Sequence, residues 1–135
     1  MKAIILALGL LPLAACTKGP LPPPELGVRE AAQVEKALAG KVAGEPVSCV
    51  SAFNPNNLRV AGDNTLLYRV NKDLTYRNTL EGGCQGLSQG SALVMNRMNA
   101  SQYCRGDIAR AVDVQTRMTT GACALGDFVP YTTAK

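Results

Sequence analysis

Residues 58–80 read LRVAGDNTLLYRVNKDLTYRNTL, and this stretch decides the fold. Gly62-Asp63-Asn64 and Asn71-Lys72-Asp73 are turn-type clusters. Treating each as a three-residue hairpin loop sets Val60 opposite Leu66 and Leu58 opposite Tyr68. It also sets Val70 opposite Leu74 and Tyr68 opposite Tyr76. All of these side chains fall on one face. The other face collects Arg59, Thr65, Arg69, Thr75 and Arg77, with Leu67 as its one apolar misfit. A slip of one residue would scramble this sorting. The stretch therefore predicts a three-stranded antiparallel meander with one buried face.

Toward the carboxyl end the pattern is weaker. Ala92 to Met95 is a short apolar run suited to a buried strand. Ile108 to Val114 is a second candidate, interrupted by Arg110, and Cys123 to Tyr131 a third, in which Pro130 points to an edge or an end. Toward the amino end, Ala31, Val34, Ala37 and Leu38 recur at helical spacing, and Gly40 follows as a stop signal. A short amphipathic helix over Arg29 to Leu38 is expected, docked on its own domain. Bulky apolar anchors for a membrane-surface helix are lacking. Five or six strands form an open sheet that needs a cover or closure. The expected fold is mostly β: a small antiparallel meander closing into a barrel or curled sheet, with one short N-terminal helix and two disulfides.

The chain has 135 residues, enough for one domain. Four Tyr, two Phe and no Trp leave an aliphatic core, which staples would help. The net charge of +4 is scattered, without the basic stripe of a nucleic-acid binder, so no nucleic-acid partner is expected. There is no histidine. Ser-His-Asp and Cys-His catalysis both need an imidazole and are excluded.

The first residues read MKAIILALGLLPLAAC. A Lys, an apolar run from Ala3 to Leu13 and two small residues have the layout of a secretory signal. At about 1.5 Å of rise per residue, that run is too short to cross a hydrocarbon layer of roughly 30 Å. Leu13-Ala14-Ala15-Cys16 resembles a bacterial lipobox. The resemblance implies lipidation of Cys16, cleavage just before it, and acylation of the new amine. By the sorting rule of enterobacterial lipoproteins, Thr17 rather than Asp after the Cys implies the periplasmic face of the outer membrane, with the inner membrane as the alternative where that rule differs. Thr17 to Gly27, TKGPLPPPELG, reads as an extended proline-rich tether. The expected organisation is a signal peptide over 1–15, a lipidated Cys and tether over 16–27, and one domain over 28–135.

Five cysteines are present, at 16, 49, 84, 104 and 123. With Cys16 consumed by lipid, four remain, and an even count in an oxidising compartment reads as two disulfides. Three connectivities are open. Cys84–Cys104 with Cys49–Cys123 is favoured, the first closing a local excursion and the second tying the domain's ends together. A four-cysteine zinc site would use closer pairs than any present here, so neither a metal nor another cofactor is expected.

Tyr76-Arg77-Asn78-Thr79-Leu80, Cys84-x-Gly86-Leu87, Tyr103-Cys104-x-Gly106-Asp107-Ile108 and Cys123-x-Leu125-Gly126-x-Phe128 form a recurrent set. Together they resemble an uncharacterised family of small proteobacterial lipoproteins. The resemblance implies an exported, disulfide-bonded β domain and brings no activity, ligand or catalytic residue.

Three groupings invite a chemical reading. Arg105-Gly106-Asp107 matches an adhesion triplet, but Gly-Asp beside a disulfide suits a turn, with the Asp bonding nearby backbone N–H groups. Arg69 and Arg77 share the outward face of the meander and are the candidate anion-binding pair. A carboxylate pair among Asp107, Asp113 and Asp127 could support hydrolysis, the lesser alternative, but no spacing sets two on one face, so no catalytic residue is assigned and no enzyme is expected. The expected function is a membrane-anchored structural or interaction module of the envelope, held by its lipid and engaging an envelope protein partner. A small-ligand-binding barrel is the alternative.

Overall fold

A computed structural model of the protein describes residues 26–52 and 55–134. The helix α1 (Val28–Leu38) is followed by nine strands: β1 (Lys41–Ala43), β2 (Cys49–Ser51), β3 (Leu58–Ala61), β4 (Thr65–Arg69), β5 (Leu74–Glu81), β6 (Ala92–Asn96), β7 (Gln102–Cys104), β8 (Ile108–Val112) and β9 (Thr119–Thr133). Seven form one antiparallel sheet in the order β3-β4-β5-β9-β8-β6, with β1 beside the far end of β9; β2 and β7 form a separate ladder. The sheet curls into a half-barrel.

The meander has the register its turns predict. Leu58 faces Tyr68 and Val60 faces Leu66, while Tyr68 faces Tyr76. Gly62 supplies the positive φ (68°) in the first loop. In the second, the Asn71 side-chain oxygen accepts the N–H groups of Asp73 and Leu74, both at 2.8 Å, as Asn in a turn does. The inner face carries Leu66 and Tyr68, each nearly fully buried, into a core shared with Leu80, Tyr103, Leu125 and Phe128. Edge-to-face pairs fill the interior: Tyr68 with Tyr103 at 5.8 Å and Tyr76 with Phe128 at 6.4 Å between centroids. Val70, expected on the buried face, lies at the end of the hairpin and is 40 % exposed.

All three strands expected in the carboxyl half form, but β6, expected to be buried, is an edge strand with alternate residues exposed. The last strand is fifteen residues long and central, not an edge. Pro130 fits there because a strand residue's N and C=O point to the same side. Its carbonyl accepts the Gly44 N–H at 2.7 Å, so its missing N–H faces the sparsely paired β1 side. The partner on its other side, Tyr76, makes no demand on it. Where β9 pairs with β5, the register shifts between Asn78 and Leu80. The buried Asn78 side chain answers the displaced backbone. Its Nδ2 donates to the carbonyls of Gly126 (2.6 Å) and Asp127 (3.3 Å), and its Oδ1 accepts the Gly126 N–H at 3.2 Å. A Cβ at Gly126 would sit against the Thr79 carbonyl oxygen, so the bulge requires glycine there. Bulges bend a strand and increase its twist, which is how one sheet curls.

The disulfides join Cys49 to Cys104 and Cys84 to Cys123, which corrects the favoured pairing. The reason lies in a strand pair that the sequence pattern did not reveal. Cys49 and Cys104 are direct partners in the β2–β7 ladder, with Cα atoms 4.1 Å apart. Cys84 follows β5 and reaches Cys123 in β9 inside the core. On the chain-entropy account, loops of this size give each bridge about 4 kcal/mol.

The Leu67 misfit marks the dock of α1. Val34, Ala61 and Leu67 form a small second core, flanked by Leu26, Ala37 and Leu38. Leu26 and Glu30 lie over Gly62. This aims the stripe 30–34–37–38 at the sheet and turns Ala31, expected on the buried face, to solvent.

Candidate functional site

The outer face of the meander is only partly covered by α1. Beyond Leu67, the last turn of the helix and the β3–β4–β5 surface bound a groove of about 510 Å³. Ala37 and the edge of Leu67, itself 6 % exposed, give it an apolar floor, and Lys36, Lys41, Arg59 and Arg69 line it; among the described residues no carboxylate does. The positions follow from register. Arg59 is opposite Leu67, and Arg69 lies two residues beyond Leu67 on the same face. Lys36 lies in the last turn of the helix, and Lys41 begins β1 after the turn at Gly40.

Backbone carbonyls orient three of these cations. Arg59 Nη1 donates to the carbonyls of Asn56 (2.8 Å) and Leu58 (3.2 Å), and Arg69 Nε donates to that of Asn71 (3.3 Å). Lys41 Nζ donates to the Ala37 carbonyl at 3.4 Å, offsetting the negative end of the helix dipole beside the groove. Among the described residues the one ion pair is Arg105 with Asp127, at 3.2 Å. Among the described residues, no carboxylate pairs with the groove's four cations.

Of the two arginines singled out by sequence, the groove takes Arg69 but not Arg77. Arg77 is half-buried across from Leu67, and its Nε is buried without a hydrogen-bond partner. Arg59, Lys36 and Lys41 were missed as site residues. Arg59 was legible from the register that placed it beside Leu67. The two lysines needed the position of the helix.

The three aspartates serve local structure. Asp107, buried, accepts the N–H of Cys104 (2.8 Å) and of Met98 (3.0 Å), so the Arg-Gly-Asp triplet is a turn. The N–H and hydroxyl of Thr116, then the N–H of Gln115, hold the Asp113 carboxyl below the usual range. Asp127 pairs with Arg105. Burial pushes the Tyr103 hydroxyl up, against the pull of Arg97, whose guanidinium lies 5.3 Å from the Tyr103 ring centre. Among the described residues, no three His, Cys, Asp or Glu side chains gather to hold a metal, and no helix is long and apolar enough to cross a membrane. Cys16, the proposed leader and the tether up to Glu25 lie outside the described residues; Leu26 and Gly27, expected in the tether, belong to the domain, with Leu26 packed beside Val34 and Leu67.

Fold and groove together define a small, doubly stapled half-barrel with a cationic outer face. The chain belongs to the family of unknown function DUF6491, which matches residues 1–127. No curated protein and no solved structure matches it.

Proposed function

We propose that the chain is an envelope lipoprotein, anchored through Cys16 on the periplasmic face of the outer membrane, and that its domain is a non-enzymatic binding module for an anionic ligand. The groove carries this reading: four cations, an apolar floor and, among the described residues, no carboxylate. Arg in particular suits bidentate oxyanion recognition. The half-barrel interior is filled by Leu66, Tyr68, Leu125 and Phe128. The ligand of a binding module therefore belongs on the outer face, where there is room for it.

Retention of the full-length protein on phosphocellulose tests the groove. Arg59→Glu/Arg69→Glu should elute at clearly lower salt than Arg110→Glu/Arg117→Glu, which makes the same charge change at exposed positions away from the groove. Equal elution of the two double variants would reduce the groove to ordinary surface charge. Mass spectrometry of protein purified from membranes tests the anchor. Acyl chains on Cys16 are expected, and an unmodified Cys16 would remove it.

A further inference from the structure

We propose that the groove holds the phosphate of one anionic phospholipid headgroup, drawn from the leaflet in which the chain is anchored. This rests on the anion-binding and anchor readings above and names the ligand.

Three observations single out a phospholipid among anions. The first is the pair of guanidinium groups. Arg59 and Arg69 stand diagonally on adjacent antiparallel strands, a relation that places backbone positions roughly 7–8 Å apart. Two side chains of that length can converge on one phosphate from both sides. The planar fork of Arg matches the oxygens of a phosphodiester, and ammonium groups such as those of Lys36 and Lys41 add point charge at the rim. The second is the floor. Leu67 and Ala37 sit among the cations. An inorganic anion has no use for apolar surface, whereas the glycerol ester and first methylenes of a lipid do. The third is reach. The nine residues from Thr17 to Glu25 precede Leu26, which already packs beside α1. A proline-rich stretch of that length can reach about 28 Å at roughly 3.1 Å per residue. The groove begins within the last turn of α1, whose eleven residues are roughly 16 Å long at about 1.5 Å each. A domain tethered at that distance meets its own leaflet at an effective headgroup concentration in the millimolar range, so even a weak site is occupied.

In the bound state the α1–meander face turns toward the bilayer. Each Lys or Arg near an anionic surface contributes about fivefold to such binding. The inner face of the meander takes no part.

Native mass spectrometry of the full-length lipidated protein, released from neutral detergent micelles, provides the test. Short-chain phosphatidylglycerol is the probe; phosphatidylcholine, glycerol phosphate and inorganic phosphate are the comparisons. One phosphatidylglycerol adduct per chain is expected, at least tenfold favoured over each comparison. Arg59→Gln/Arg69→Gln should lower it tenfold or more, and Arg110→Gln/Arg117→Gln should leave it in place. The intact disulfides Cys49–Cys104 and Cys84–Cys123, read from the mass under non-reducing conditions, verify that each variant has folded. Equal adducts with phosphatidylglycerol and phosphatidylcholine, or an adduct that survives loss of both groove arginines, would overturn the proposal. Inorganic phosphate binding as tightly as the lipid would overturn the lipid and leave the anion site standing. If no anion binds, both readings fall.

Discussion

Tyr68 and Arg69 are neighbours in β4, and the pleat sends them to opposite faces of the meander. Tyr68 is 3 % exposed and packs edge-to-face on Tyr103; Arg69 is exposed beside the groove. The inner face is closed by the rest of the half-barrel, with Leu66, Leu80, Leu125 and Phe128 among the side chains that fill it. The outer face has an apolar closure over Ala61 and Leu67, where Val34 of α1 docks. The remainder carries cations that no described carboxylate pairs with. One face thus serves stability, and the other leaves part of its charged surface open. An outward strand position is not automatically a solvated one: Thr65 and Thr75 lie on the outer face and are nearly fully buried.

Substitutions at the two faces should therefore separate stability from binding. The largest effect is expected at the core staple. Cys84→Ser/Cys123→Ser removes a constraint of about 4 kcal/mol and leaves hydroxyls in an apolar site, so urea denaturation should find the domain largely unfolded. Next, Phe128→Ala should cost about 3–5 kcal/mol, the range for a large aromatic removed from a core. Leu67→Ala tests the helix dock and should cost about 2 kcal/mol, with α1 losing hydrogen-exchange protection before the sheet does. A cost equal to that of Phe128→Ala would show that the two faces form one cooperative core. Arg69→Ala should change stability by no more than about 0.5 kcal/mol while weakening retention on an anionic matrix.

The smallest effects concern pH and sharpen the same contrast. The Tyr103 hydroxyl on the inner side titrates above its ordinary 10.0 in the folded state. Its contribution is fully present below pH 10.0 and is lost as pH rises past that value toward the raised folded pKa. The exposed Asp113 has a lowered pKa, so its contribution is present above 3.8 and is lost as pH falls through the depressed value. Thermal melts of Tyr103→Phe and Asp113→Asn against the parent should lose these dependences at alkaline and acid pH respectively.

The parts of the fold legible in the sequence were those set by near neighbours. Two turn clusters fix the meander's register, and Leu67 announced a contact by breaking the pattern. The carboxyl half depends on partners far along the chain. Gln102–Cys104 is too short to read as a strand until Cys49–Ser51 lies beside it, and with it went the disulfide pairing. Pro130 argues for an edge unless it is known which side of β9 lacks a close neighbour. The groove was half legible. The sequence pairs Arg69 with Arg77, whereas the groove gathers Arg69 with Arg59, Lys36 and Lys41, and the two lysines lie on and just after a helix whose seat is set by tertiary packing.

The position of β9 has a consequence for how the protein is made. A chain emerging amino end first presents every other strand before the one that joins β5 to β8. Until then the β3–β4–β5 hairpins and the β6–β8 pair have no common sheet, and Cys84 has no Cys123 to meet. Completion of the domain is therefore a late, all-at-once event. A nascent chain stalled before residue 119 should be as sensitive to protease as an unfolded one.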